Sequence, residues 1–183
     1  MNDSHLMEQI EFIRAKLKQL ETTNQIYIND YALGVDPAFG GSSETGIILG
    51  GRTRDRQIII LGDLSGHYKP ETWIYYVQKL AMEFQSTIAI EINHGGELLS
   101  NIFANFSVAP QRAFKSKYER AIACYILYKK GLVTHLHPFI KLEEQMLYFE
   151  KTKKDRVDAL VWLVTYLNQL NNNLLHCDAL HFY

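Results

Sequence analysis

The chain has 183 residues, enough for one domain with a full hydrophobic core. Its formal net charge of −1 excludes a protein that attracts nucleic acid through an overall positive field, so any basic surface must be local. The two cysteines, Cys124 and Cys177, lack metal-ligand spacing and indicate no disulfide framework. With neither a signal peptide nor a membrane-spanning run in the sequence, we expect a soluble intracellular domain.

The first half of the chain predicts one helix followed by three strands. Apolar residues recur at helical spacing over residues 5–20. The three predicted strands are YALGVDPA (31–38), TGIILGG (45–51) and QIIILGDLS (57–65). The turn FGGSSE and the polar tip RTRDR separate them, and connections this short predict antiparallel hairpins.

The second half alternates helices and strands. Helices are predicted at 70–84, 95–106, 116–130, 142–150 and 153–167, and strands at 87–93, 106–110 and 132–137. Because the strand at 87–93 is reached through a helix, it should run parallel to a neighbour. We therefore predict an α/β fold with a mixed sheet flanked by helices. Residues 1–24 would be an N-terminal helix and linker, 25–170 the domain, and 171–183 a polar tail.

The last predicted helix, KKDRVDALVWLVTYL, begins with two acids, Asp155 and Asp158. One interpretation is structural, because aspartate caps free backbone N–H groups, suits the helix dipole and here imitates a capping box. The other is chemical, because residues at i and i+3 share a helix face and both can reach a metal ion. The two interpretations are compatible for Asp155, and Asp158 is the better candidate ligand.

Asp36 and Glu91 each end a predicted strand. An aspartate there is commonly a turn residue, whereas a glutamate inside IAIEIN needs a partner for its charge. If the two strands are parallel neighbours, their carboxyl ends form a crevice that the last helix can reach with Asp155 and Asp158. Clustered carboxylates repel one another, and Mg²⁺ or Mn²⁺ relieves that repulsion. Two such ions about 3.5–4 Å apart support phosphodiester cleavage.

Other polar residues have more than one interpretation. Asp63 either joins the acids or starts the turn DLSG, and we favour the turn. His94 follows Glu91 and precedes two glycines, so it either contacts a phosphate or belongs to a tight turn. His135 and His137 share a face if that stretch is extended, but without a third ligand we expect an ordinary structural role.

Two basic clusters offer local phosphate contacts. Solvated charge is the usual interpretation of such runs, although they would also explain how a chain of net charge −1 holds DNA. The clusters comprise Arg112, Lys115, Lys117, Arg120, Lys153 and Lys154. Arg52, Arg54 and Arg56 alternate along the predicted hairpin tip and would form a further contact line.

Several motifs, taken in order, resemble the nuclease domain of tailed-phage terminase large subunits. They are GVDPAFGGSSETGIILGG, IILGDLSGHYKPETW, IAIEINHGGELL, KYERAIACYILYKKGLVTHLHPFIKLEEQMLYF and KKDRVDALVW, and the resemblance spans about residues 30–168. It implies an RNase H-like fold and a metal-dependent endonuclease that cuts viral DNA during packaging, in the cytoplasm of a bacterial host. The acidic triad would fall on Asp36, Glu91 and Asp158, with Asp155 as an accessory acid and Lys117 to Ala121 near DNA.

The family's ATPase motor has no counterpart in this sequence. The chain contains no Gly-Lys pair, and therefore no phosphate-binding loop, and no G-x-G fingerprint. We therefore expect an excised domain, a split-gene product or a remnant. The implied partners are double-stranded DNA, a separate terminase ATPase, the small terminase subunit and the portal, with no membrane. The alternatives are another RNase H-like nuclease or resolvase, or a catalytically silent assembly adaptor.

Overall fold

A mixed β-sheet flanked by helices forms the centre of the computed structural model, which describes residues 3–23, 26–39, 43–93, 95–149 and 154–179. The strands are β1 (Ile28–Asp36), β2 (Gly46–Thr53), β3 (Ile58–Asp63), β4 (Thr87–Glu91), β5 (Val108–Gln111) and β6 (Val133–His135). The helices are α1 (Asp3–Thr22), α2 (Pro70–Phe84), α3 (Gly96–Ile102), α4 (Lys117–Lys129), α5 (Ile140–Leu147) and α6 (Asp155–Ala179).

The strand order is β5-β4-β1-β2-β3-β6. Strands β1, β2 and β3 are joined by antiparallel pairing, as the short connections predicted. Strand β4 returns through α2 and pairs parallel to β1, and the outer strands β5 and β6 are also parallel to their neighbours. The predicted order of antiparallel strands followed by parallel ones is therefore confirmed.

Helices α1 and α2 contribute to the core on one face of the sheet. The buried face of α1 consists of Leu6, Ile10, Ile13 and Leu17. These side chains belong to the same apolar cluster as Trp73 of α2 and Leu33 of β1. Pro70 occupies the first turn of α2, where a missing N–H costs nothing. Helix α1 is therefore packed into the core of the domain.

Helix α6 lies directly on β1 and β2 on the other face, where glycines leave room for it. A Cβ atom at Gly34 would come within 2.0 Å of the carbonyl oxygen of Ala159. A Cβ atom at Gly46 would come within 2.1 Å of the carbonyl oxygen of Asp155. Real side chains cannot approach a backbone this closely, so the glycines determine how near the start of α6 lies to the sheet.

The C-terminal helix is longer than the sequence predicted. Helix α6 continues through residue 170, where the sequence predicted the domain to end, as far as Ala179. Asn171 is buried and anchors this extension, because it accepts from Arg52 Nη1 (3.3 Å) and donates to the carbonyl oxygen of Arg56 (3.1 Å). Among the described helices, none combines the length and apolarity needed to cross a membrane.

Candidate functional site

Asp36 and Glu91 lie at neighbouring strand ends. Asp36 is the last residue of β1 and Glu91 the last of β4, and these strands are parallel neighbours. Side chains alternate between the two faces of a sheet, so Asp36 shares the face of Gly34, which α6 covers. Glu91 contacts the same helix, because Trp162 Nε1 donates to Glu91 Oε2 over 3.2 Å. Both predicted site residues therefore lie under α6.

The first turn of α6 brings two further acids to this edge. Gly46, against which Asp155 lies, is the cross-strand partner of Asp36. Asp158, one turn later, is only 3% exposed. Asp155 Oδ2 accepts the backbone N–H of Glu44 over 2.8 Å, which ties α6 to the β1–β2 connection. The backbone N–H of Arg156, the next residue, donates to Gln145 Oε1 of α5.

Burial and the charges of neighbouring acids both shift the pKa values of Asp36 and Asp158. The pKa of Asp36 is raised to about 8, chiefly because burial removes water from the carboxylate. The negative charges of Asp158, Glu91 and, to a smaller extent, Asp155 raise it further, whereas Lys117 lowers it. The pKa of Asp158 is also raised by burial, although two basic neighbours oppose the effect. Like charges are thus held together in a poorly solvated place.

Two predicted DNA-contacting residues, Lys117 and Arg120, lie against these acids. Lys117 Nζ is 2.5 Å from Asp158 Oδ2, and Arg120 Nη2 is 3.6 Å from Asp158 Oδ1. The Arg120 guanidinium also stacks on the Trp162 ring at 4.6 Å. Trp162 therefore connects Glu91 to Arg120. Sequence reasoning missed this tryptophan, which looked like one more apolar residue of the helix.

The donor chemistry suits a hard divalent cation. Among the described residues, no three acidic, histidine or cysteine side chains are arranged closely enough to hold a metal ion as they stand. The cluster instead contains the ammonium group of Lys117, which bonds Asp158 and lowers the pKa of Asp36. The ammonium lies where a buried carboxylate stabilises positive charge, and carboxylate oxygens are the ligands that a hard divalent cation prefers. Residues Asp36, Glu91, Asp155 and Asp158 would hold it.

A second polar network fixes the start of α6. Arg156 is 4% exposed and makes a two-point ion pair with Glu44, at 2.9 Å from Nε and 2.8 Å from Nη2. It also pairs with Asp63 at 2.5 Å. Asp63 Oδ1 accepts the backbone N–H of Ser65, which is the turn role that the sequence favoured. Sequence reasoning overlooked Arg156, although an arginine at the start of a largely apolar helix needs a partner if it is buried.

The remaining predicted DNA contacts have varied positions. Arg112 and Lys115 are exposed on the connection between β5 and α4. Lys154 lies with Nζ 4.1 Å from the centre of the Phe149 ring. Lys153 and His94 lie outside the described residues.

The proposed arginine contact line along the β2–β3 tip is wrong. Arg52 is only 8% exposed, and it is paired with Asp30, its cross-strand neighbour on β1, so its guanidinium is not presented to solvent. His135 bonds Tyr128 (2.7 Å) and Glu143 (2.8 Å), which is the structural role expected of it. His137 packs against the ring of Phe139.

The structure resembles solved nucleases in its fold, although no family model and no curated protein sequence matches the chain significantly. The large terminase nuclease from thermophilic phage G20c, with bound zinc, superposes with a TM-score of 0.61 and 15% identity over 74% of this chain and 80% of that chain. The large terminase nuclease domain of Thermus phage P74-26 gives 0.56 and 14%, over 73% and 77%.

A resolvase is similar as well. The yeast mitochondrial Holliday junction resolvase superposes with a TM-score of 0.51 and 11% identity, over 93% of this chain and 98% of that chain. The chain therefore has the RNase H-like fold of these proteins, which confirms the predicted fold class. The predicted resemblance to terminase nuclease domains is confirmed in the fold.

Proposed function

We propose that the chain is a divalent-cation-dependent endonuclease that hydrolyses phosphodiester bonds in double-stranded DNA. Asp36, Glu91 and Asp158 are its catalytic carboxylates, and Asp155 is an accessory ligand. In a tailed phage or prophage it would cut viral DNA during packaging, with a separate terminase ATPase, the small terminase subunit and the portal as partners.

The convergence of acids that are distant in the sequence carries this proposal. Asp36, Glu91 and Asp158 come from two strands and a helix, yet the charges of the other two raise the pKa of Asp36. Such crowding costs folding free energy. Proteins retain that cost mainly at functional sites. The fold supports the same conclusion, because solved structures with it are nucleases and a resolvase.

Mg²⁺ or Mn²⁺, as two ions, would supply water activation and stabilise the leaving oxygen, giving a 3′-hydroxyl and a 5′-phosphate. The side chains of the protein prepare the site for this. Trp162 holds Glu91 in place through its indole N–H. Lys117 must leave Asp158 Oδ2 before that oxygen can bind a cation, and its ammonium is then available to a phosphate oxygen of the substrate.

A plasmid assay tests the proposal. Supercoiled plasmid with Mn²⁺ should be nicked and linearised by the parent protein, and Asp158→Asn should slow cleavage at least a hundredfold while keeping the fold, as circular dichroism would report. The matched control is Asp55→Asn, which removes an exposed acid in the β2–β3 turn, at the opposite end of β2 from Gly46. If Asp158→Asn cuts as fast as the parent, the assignment of that acid is wrong.

Four-way junction cleavage is a second candidate function. The resolvase superposes over 93% of this chain, against 74% for the G20c terminase nuclease, although with a lower TM-score. Comparing initial rates on a four-way junction and on a linear duplex of the same sequence separates the two. A junction rate tenfold or more above the duplex rate favours the resolvase activity.

A further inference from the structure

A cleft of about 500 Å³ opens beside the acid cluster, between the β5–α4 connection and α6. Its size is in the range of small-ligand sites, about 300–1,000 Å³. The side chains that define its chemistry are Arg112, Phe114, Lys115, Arg120, Trp162 and Gln169.

The cleft shares wall residues with the surroundings of the candidate site. Trp162 lines it and also donates to Glu91 Oε2. Arg120 lines it and also contacts Asp158 Oδ1 at 3.6 Å. Gln111, another lining residue, is the β5 partner of Glu91 across the parallel pair. A DNA strand whose phosphate lies at the acids would therefore pass residues that also border this cleft.

The lining combines a solvent-exposed aromatic ring with positively charged side chains. Phe114 is 89% exposed, although large apolar side chains are normally buried. Arg112 and Lys115, on either side of it in the sequence, are exposed cations. Glu119, the acid in the lining, is engaged with Ser116 in the capping box of α4. An exposed ring flanked by cations is the chemistry that binds a base and its phosphate.

A buried donor in the lining lacks an acceptor. Within the part of the chain that the structure describes, Arg120 Nε is fully buried and has no hydrogen-bond partner. Arg120 otherwise bonds the carbonyl oxygen of Lys115 over 2.6 Å. Buried donors are nearly always satisfied, so this N–H is an uncompensated cost in the wall of the cleft. Because the atom is inaccessible to solvent, a ligand in the cleft reaches it only if the Arg120 side chain turns.

We propose that this cleft binds an unpaired nucleotide of DNA next to the phosphate that the acid cluster cleaves. Binding in the cleft does not require nuclease activity, whereas cleavage of the adjacent phosphate rests on the proposed function. A base inside a duplex is stacked on both faces and cannot enter a concave site, whereas an unpaired base can turn out and stack on Phe114. The preferred substrates are therefore DNA molecules with unpaired nucleotides, such as bubbles or flaps.

Fluorescence anisotropy in EDTA tests binding without cleavage. The probes are a fluorescein-labelled pentanucleotide and a blunt duplex of the same label. The parent should bind the pentanucleotide, and Phe114→Ala and Arg112→Gln should each weaken binding about tenfold or more. The controls are Leu147→Ala, an exposed apolar residue on α5, and Arg54→Gln, an exposed cation in the β2–β3 turn. Both controls should bind like the parent.

Equal binding by the parent and Phe114→Ala, or no pentanucleotide binding by the parent, overturns the cleft proposal. In a second arm with Mn²⁺, a duplex with a three-nucleotide bubble should be cut faster than a matched duplex, and Phe114→Ala should abolish the difference. A parent that binds the pentanucleotide but cuts no DNA refutes the nuclease proposal and leaves the binding site supported. Equal cutting of both duplexes refutes the substrate preference.

Discussion

Replacing Asp36 by asparagine should stabilise the protein at high pH in the absence of a divalent cation. The folded protein holds the pKa of this carboxyl at about 8, against an ordinary value of 3.8. A group whose folded-state pKa is raised contributes stability that is complete below its unfolded pKa and is lost as pH rises through the folded one. Asp36 therefore destabilises the fold increasingly between about pH 4 and pH 8.

The size of the effect follows from the same values. Each pH unit across this window corresponds to about 1.4 kcal/mol, which sets a ceiling of roughly 6 kcal/mol for the cost of ionised Asp36. Asparagine removes the charge but still has a polar amide to desolvate. We therefore expect the variant to be more stable than the parent by at least about 2 kcal/mol at pH 9. At pH 5, about 1.2 units above the ordinary value of 3.8, the same relation sets a ceiling of only about 1.7 kcal/mol, so the advantage of the variant should shrink by up to about 4 kcal/mol between pH 9 and pH 5.

Urea unfolding followed by circular dichroism, at pH 5 and pH 9 in EDTA, measures this difference. Repeating the pH 9 measurement with Mg²⁺ should reverse the order, because a cation stabilises the carboxylate of the parent more than the amide of the variant. Asp55→Asn serves as the control, since this exposed acid should change stability by less than about 0.5 kcal/mol. Parallel pH profiles for the parent and Asp36→Asn would refute the crowding of acids on which the site rests.

Three further substitutions test the surroundings of the candidate acids and the start of α6. Lys117→Met removes the ammonium that competes for Asp158, so calorimetry should show Mn²⁺ binding about tenfold tighter than in the parent, and unchanged affinity would contradict the competition. Gly34→Ala pushes α6 off the sheet, so the unfolding free energy should fall by about 3 kcal/mol and Mn²⁺ affinity with it. Arg156→Met leaves buried acids unpaired and should cost about 3–5 kcal/mol in urea unfolding, whereas Arg14→Met, at a more exposed pair, should cost under about 1 kcal/mol.

Local sequence patterns were sufficient to predict most of the helices and strands. Short polar connections predicted the antiparallel hairpins of β1, β2 and β3, and Gly131 ended α4 as expected, with a positive φ of 69°. The end of α6 was not predictable in this way. A stretch of asparagines looks like a polar tail, but Asn171 is held by Arg52 and by the chain at Arg56, which are distant in sequence.

The sequence by itself determined which acids were available and which strands would carry two of them. Periodicity and turn residues are local properties, and they place Asp36 and Glu91 at strand ends. Only the tertiary structure decided how the charges are shared. Lys117 and Arg120 look like surface cations, yet the close approach of α6 over Gly34 and Gly46 sets Asp158 against both. Such partnerships depend on packing between distant segments, which no local pattern encodes.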